Sequence, residues 1–187
     1  MTPTLVPGGT PPAVPGDRLA VRPIGLDDFS SLRHLHASAL KSQTVGVLSD
    51  KELAAFQRLV QSPAYSDLLL QEEVYCGWLD GELVGTASWH ANADSGATAR
   101  IGCIFVRHPR FGIGRRLMAE VEARAHQCGF GRFAVSTTAN AVPFFEKLGY
   151  QIASRGVKTL APGCILPVTF LKKGLAQPRA PSSSTLM

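Results

Sequence analysis

The sequence predicts an α/β protein built on a mixed, mostly antiparallel central sheet of about seven strands flanked by about four helices. Three observations lead there. Residues Ile101 to Leu117 run from an apolar strand through a glycine-and-arginine turn into an amphipathic helix. Two apolar runs meet at Asp80-Gly81, a dipeptide that tolerates the positive φ of a tight hairpin. Two further strand-like runs, near 150–157 and 164–171, read as a hairpin at one edge, interrupted at Ala161-Pro162-Gly163.

The chain has 187 residues, 45% hydrophobic and 18% charged, which suits one domain with a substantial core. Residues 1–16 are rich in Pro, Gly and Thr and carry no charge, so they read as a flexible leader; residues 17–174 form the domain, and the Pro- and Ser-rich 175–187 read as a tail. A strand is expected at 19–23, a helix at 27–40, and a second helix at 50–60 opened by Ser49 with Glu52 in capping-box register. The hairpin strands occupy 74–79 and 83–90, and a loop at 91–97 leads to a central strand at 98–106. Leu117, Met118, Val121, Ala125 and Cys128 then recur at helical spacing, and Gly129 is the expected stop. A short strand at 133–137 precedes a helix for which Asn140 is the expected cap, Pro143 the first-turn residue and Gly149 the left-handed end. Cys76, Cys103, Cys128 and Cys164 stand far apart and read as small buried hydrophobes in a reducing compartment. The start lacks a signal peptide's basic region, and no apolar run approaches the ~20 residues needed to cross a bilayer, so a cytoplasmic location is expected.

Chemistry concentrates at the turn. A helix start there leaves the amides of Phe111 to Arg115 without carbonyl partners, and Arg107, Arg110, Arg115 and Arg116 add positive charge, so a pyrophosphate is a natural guest. The alternative is a tight turn whose arginines are merely solvated. Leu117 stands where a dinucleotide fingerprint needs its third glycine, and Gly114-Arg115-Arg116 stands where a triphosphate loop needs Gly-Lys-Ser/Thr.

Gly112-Ile113-Gly114 between a strand and a long helix resembles the acetyl-CoA loop of the GNAT superfamily of N-acetyltransferases, Arg/Gln-x-x-Gly-x-Gly/Ala, with Pro109 at the first position and Arg110 one place late. Ala141-Val142-Pro143-Phe144-Phe145-Glu146-Lys147-Leu148-Gly149-Tyr150 resembles that family's Ala-x-x-Phe-Tyr-Glu-Lys-Leu-Gly-Phe signature. The resemblance covers roughly residues 19 to 173 and implies a GNAT-type sheet and acetyl-CoA as co-substrate. It implies cofactor contacts at Phe105, Val106, Arg110, Phe111, Gly112, Ile113, Gly114, Arg115, Asn140 and Phe145, with main-chain donors for the oxyanion around Phe105 and Val106.

The implied activity is direct acetyl transfer from acetyl-CoA to an amine acceptor: a small molecule, an amino acid or a peptide. The alternative is a non-catalytic acyl-CoA-binding module, favoured by Phe145 where relatives carry the tyrosine that protonates the departing thiolate. Arg100 falls where some protein-acetylating relatives carry a glutamate on the central strand, and arginine cannot serve as a base at neutral pH. His90 at the end of its strand is the candidate base, and Ser136, with Thr137 or Thr138, is a candidate to orient water. His36 and Arg100 are candidate acceptor contacts, beside His34 and Tyr65. Arg100 could clamp a carboxylate or else face outward toward Asp94.

Residues 1–98 carry a charge balance of −5 and residues 99–187 one of +10, so one half suits a polyanion and the other an amine, unless the acidic half is simply a solvated surface. No metal is expected, because a helix splays His34 and His36 apart by about 200°. No nucleic-acid partner is expected, because no aromatic platform is interleaved with the basic cluster. No membrane partner is expected either, and the edge hairpin leaves monomer or homodimer open.

Overall fold

A computed structural model of the chain describes residues 18–92, 97–162 and 164–174. The expected leader and tail, and the middle of the loop after His90 with Asp94, lie outside the described residues. Strand β1 (Leu19–Pro23) leads through a 3-10 turn (Leu26–Asp28) into α1 (Phe29–Gln43), then α2 (Asp50–Gln61) and α3 (Pro63–Leu70). The strands β2 (Glu73–Leu79), β3 (Glu82–Ala91) and β4 (Thr98–Val106) precede α4 (Ile113–Gln127). Strand β5 (Arg132–Thr137), α5 (Val142–Glu146), β6 (Gln151–Ala161) and β7 (Cys164–Gly174) follow.

The seven strands form one sheet in the order β1-β2-β3-β4-β5-β7-β6, antiparallel throughout except for the parallel β4–β5 pair. That pair registers only from Thr98↔Arg132 to Ile101↔Val135, so the two strands part beyond Ile101. Helix α4 crosses one face of the sheet, where Leu117, Met118 and Val121 bury against Val84, Ala87, Ala99, Ile101, Phe133 and Val135. Helices α1, α2 and α3 cover the other face with Leu32, Leu35, Leu59, Val60 and Leu69 against Val74, Cys76 and Leu83. Each fully buried side chain of this kind contributes roughly 1.5–3 kcal/mol of transfer free energy.

Local chemistry sets the boundaries. Asp28 accepts from the Gly25 amide at 2.8 Å and from both Arg22 nitrogens at 2.6 and 3.1 Å, fixing the entry to α1; Arg22 holds its carboxyl below the usual range. Ser49 caps α2 through the Glu52 amide at 3.3 Å while Glu52 accepts from the Ser49 amide at 2.8 Å. Asp80 (φ 51°) and Gly81 (φ 81°) make the hairpin turn left-handed at both central positions. At the end of the second motif, Tyr150 donates to Glu122 Oε1 at 2.8 Å and Lys173 to Oε2 at 2.6 Å, tying the motif and β7 to α4.

Several expectations need correction. The about four helices expected are five among the described residues, and the one not foreseen is Pro63–Leu70: Ser62 breaks α2 and Pro63 takes a first-turn position where its missing amide costs nothing. Asn140 caps no helix; Thr138 precedes a 3-10 turn at Ala139–Ala141, and α5 is only five residues long. Cys128 is exposed at the end of α4, whereas Cys76 is buried and burial pushes its thiol up to about 12.

Candidate active site

The site is organised by an irregularity in β4. Ser88 pairs Gly102 and Thr86 pairs Phe105, so Cys103 and Ile104 stand against Ala87 alone, and Cys103 adopts φ 48°. This bulge bends the strand and re-aims the backbone groups after it. Beyond β4 the chain is left-handed at Arg110 (φ 77°) and Gly112 (φ 82°) before entering α4. Such alternation builds concavities of N–H groups. The amide of Arg116 makes the first turn's bond to Gly112 O at 3.1 Å, which leaves the amides of Ile113, Gly114 and Arg115 without helical partners at the positive end of the dipole. A Cβ on Gly114 would lie 3.2 Å from Phe144 Cζ and 3.6 Å from Val106 Cγ1, so the start of α4, the end of β4 and α5 close on one another here.

The cations are fewer than their number in the sequence suggests. Arg107 is paired with Glu82, and Arg116 reaches Glu120 at 4.0 Å, leaving Arg110 and Arg115 as the exposed cations of the turn without partners among the described residues. The side chain of Ile113 is 1% exposed, so only its amide can face a ligand. Phe111 packs at the edge of the α4-side core and stands 6.0 Å, centroid to centroid, from the His108 ring. Asn140 donates to the Gln43 carbonyl at 2.8 Å and accepts from Thr138 at 2.7 Å; Gln43 in turn donates to the Val106 carbonyl, so α1 is laced to the end of β4. Phe145 is 2% exposed, edge-on to Phe144 and Tyr150 in the core, which corrects its expected contact with a cofactor.

His36 is corrected as well. It is fully buried and lines no cleft. Its Nε2 lies 2.7 Å from Thr86 Oγ1, its Nδ1 lies 2.8 Å from Tyr65 Oη, and its ring stacks on Phe105 at 4.1 Å. Thr86 donates to the carbonyl of Cys103 at 2.7 Å. A carbonyl only accepts, so the protons run one way: Tyr65 donates to Nδ1, Nε2–H donates to Thr86, and Thr86 donates to the bulge. Burial holds the His36 imidazole neutral, with its pKa lowered to about 3, and pushes the Tyr65 phenol well up.

On the same face of β3, Ser88 and His90 follow Thr86 at two-residue spacing and meet a residue that no motif marks. Glu72, in the link from α3 to β2, reaches over Gly102, where a Cβ would stand 3.1 Å from its Oε2. Ser88 donates to Glu72 Oε2, the Cys103 thiol lies 3.6 Å from the same oxygen, and His90 Nδ1 lies 3.6 Å from Oε1. The Nδ1 atom of His90 is itself buried and without a hydrogen bond among the described residues. Burial comes first, with the Glu72 charge next, in pushing the Cys103 thiol up to about 12, so it is a packing thiol and not a nucleophile. No group of three or more His, Cys, Asp or Glu side chains among the described residues is placed to hold a metal ion.

Ser136 lies just past the last β4–β5 pair, where the strands part, and accepts from Lys158 at 3.4 Å. Arg100 is exposed and stands opposite His90 across β3–β4. Thus the parted strands, the bulge and the amide-rich start of α4 lie together, with Glu72, Ser88 and His90 beside them. Arg100 borders this group, while His36 is buried on the α1 side of the sheet against Thr86 and Phe105, and Phe145 lies in the α4-side core.

Comparison with known proteins gives this arrangement a family. An acetyltransferase (GNAT) domain model matches residues 44–159. The uncharacterized N-acetyltransferase YjcF of Bacillus subtilis is 33% identical over 89 residues, 47% of this chain, and the match spans 63% of that relative's length, less than two thirds. In fold, the chain is similar to a GCN5-related N-acetyltransferase of Rhodopseudomonas palustris (TM-score 0.74, 22% identity, 83% of this chain and 95% of that one). It is also similar to PaiA N-acetyltransferase of Thermoplasma acidophilum, solved in complex with coenzyme A (TM-score 0.60, 16% identity, 83% and 98%). With a family model spanning more than half of its residues and its bulged strand leading into an amide-rich helix start, the chain belongs to the GNAT acetyltransferase family.

Proposed function

We propose that the protein transfers an acetyl group from acetyl-CoA to an amine. The observation that carries this reading is the conjunction of parted strands, bulge and unpartnered helix-start amides at one place. These features fit a thioester with a pyrophosphate: the amides of Ile113, Gly114 and Arg115, with Arg110 and Arg115, suit the phosphates, and the gap after Ile101 suits an extended arm. Acetyl-CoA supplies the activated acetyl carbon and a thiol leaving group whose free pKa, about 8.5, lets it depart without full protonation.

The protein's own residues then do three things. Backbone donors after the bulge, around Phe105 and Val106, meet the developing oxyanion. Glu72 holds the acceptor's ammonium and takes its proton through Oε1, which accepts no hydrogen bond among the described residues, with His90 beside it. Ser136, whose oxygen already receives a hydrogen bond from Lys158, is free to turn its own proton toward the departing sulfur. Phe145 has no such proton, so positioning and oxyanion stabilisation carry most of the rate.

Calorimetric titration with acetyl-CoA at two salt concentrations tests the cofactor, and thiol release over an amine panel tests the reaction. Saturable, salt-weakened binding with amine-dependent release of CoA is expected. Binding without release for every amine would leave an acyl-CoA-binding module instead.

A further inference from the structure

Within this acetyl-transfer reading, we propose that the acceptor is a free amino acid, its amine seated at Glu72 and its carboxylate held between Arg100 and Lys172. The register carries it. His90 pairs Arg100, Arg100 pairs Ala134, and Ala134 pairs Lys172, so these four residues form one row across β3, β4, β5 and β7. Paired residues share a sheet face, and their chain neighbours Ala99, Ile101, Phe133, Val135 and Leu171 point the other way into the α4-side core. The row therefore faces the side of Glu72, whose Oε1 lies 3.6 Å from His90 Nδ1.

Two cations flank a single methyl group in this row. Adjacent strands lie about 4.8 Å apart, so the Arg100 and Lys172 backbones stand about 10 Å apart with Ala134 between, and both side chains can converge on one anion above it. Neither is ion-paired or hydrogen-bonded among the described residues, whereas Arg22, Arg107, Arg124 and Lys173 all have carboxylate partners. Both side chains are exposed on this face; two like charges there repel, and an anion placed between them removes that repulsion. A carboxylate at one end of the row and cations along it complement a molecule with an amine and a carboxylate close together. A peptide N-terminus offers an amide in place of the carboxylate and does not match.

The test is equilibrium binding to CoA-saturated protein by calorimetry, followed by initial rates of CoA release with acetyl-CoA. Leucine, phenylalanine, lysine and glutamate are compared with leucinamide and with isoamylamine, phenethylamine and cadaverine, in wild type, Arg100→Gln and Lys172→Gln. At least one amino acid should bind ten-fold or more tightly than its amide or decarboxylated amine. Arg100→Gln should raise its Kd and KM ten-fold or more with kcat within about two-fold, and Lys172→Gln should act in the same direction. Equal affinity for amide and acid, no binding by any amino acid, or an unchanged Kd in both variants overturns the proposal. Acetyl-CoA affinity, measured separately in all three proteins, reports on the cofactor site: its absence from wild type sinks the acetyl-transfer reading itself, while its retention in the exposed-residue variants shows that they are folded.

Discussion

His36 Nε2 and Thr86 Oγ1, 2.7 Å apart, join the middle of α1 to the centre of β3, and the hydroxyl passes the bond on to the carbonyl of Cys103. The histidine works as a neutral spacer between two hydroxyls, and its burial makes the fold acid-sensitive. Its folded pKa is lowered from 6.5 to about 3, so the unfolded chain binds a proton that the folded chain refuses. The sign follows: the contribution is intact above about pH 6.5 and is lost progressively as pH falls toward 3, by about 2 kcal/mol at pH 5. Urea unfolding at pH 7 and pH 5 should show that loss in wild type and a smaller one in His36→Gln. Equal losses in both proteins would mean that other groups set the acid limit.

Glu72→Gln keeps a carbonyl oxygen for Ser88 but removes the carboxylate proposed to take the acceptor's proton. The expected result is a kcat lower by about 10²–10⁴-fold on the best amine, with acetyl-CoA affinity unchanged. A variant within two-fold of wild type across the pH range would remove Glu72 from the mechanism.

Gly112 has open space around its Cα but a φ of 82°. Gly112→Ala should therefore cost about 1–2 kcal/mol through backbone strain alone. Gly112→Glu adds a negative side chain at the mouth of the amide cradle and should abolish acetyl-CoA binding as well. Circular dichroism and calorimetry separate the two effects, and retained affinity in a folded Gly112→Glu protein would displace the phosphates from this turn.

Gly85 is constrained by contact. A Cβ there would lie 2.8 Å from Leu117 Cδ1, 2.9 Å from Ile113 Cγ2 and 3.2 Å from the carbonyl of Phe105. Both side chains are at most 1% exposed and have nowhere to move. Gly85→Ala should destabilise the protein by about 1–3 kcal/mol, and should weaken acetyl-CoA binding because the same contact presses on the bulge. A melting temperature equal to that of wild type would show that α4 rides more loosely on the sheet.

The sequence made the strands and the glycine-rich turn before α4 legible because each depends on neighbours a few positions away. Asp80-Gly81 must turn, Gly112 must be left-handed, and the apolar spacing of Leu117, Met118 and Val121 must seek a sheet. What could not be read were features decided across the fold. Glu72 matters through Ser88, Gly102 and Cys103, which lie 16 to 31 positions away, and its only trace was the acidic balance of the first half. Helical periodicity splays His34 from His36 without saying which faces the sheet, and it is His36 that turns inward, fully buried between Tyr65 and Thr86. Phe145 sits in a motif that names its position and not its exposure. The third helix was hidden because Leu68, Leu69 and Leu70 run together without a clean stripe, and only Leu69 is buried.

The place of β7 has a consequence for biosynthesis. Strand β5 pairs with β7 and not with β6, although β6 is translated first. Until residues 164–174 clear the ribosome, the edge of β5 that faces away from β4 has no partner, and the nascent chain holds the five strands β1 to β5 with Arg132–Thr137 open to wrong pairing. Strand β7, the last of the described strands, lies inside the sheet between β5 and β6, so premature termination within it removes an interior strand and not a dispensable margin.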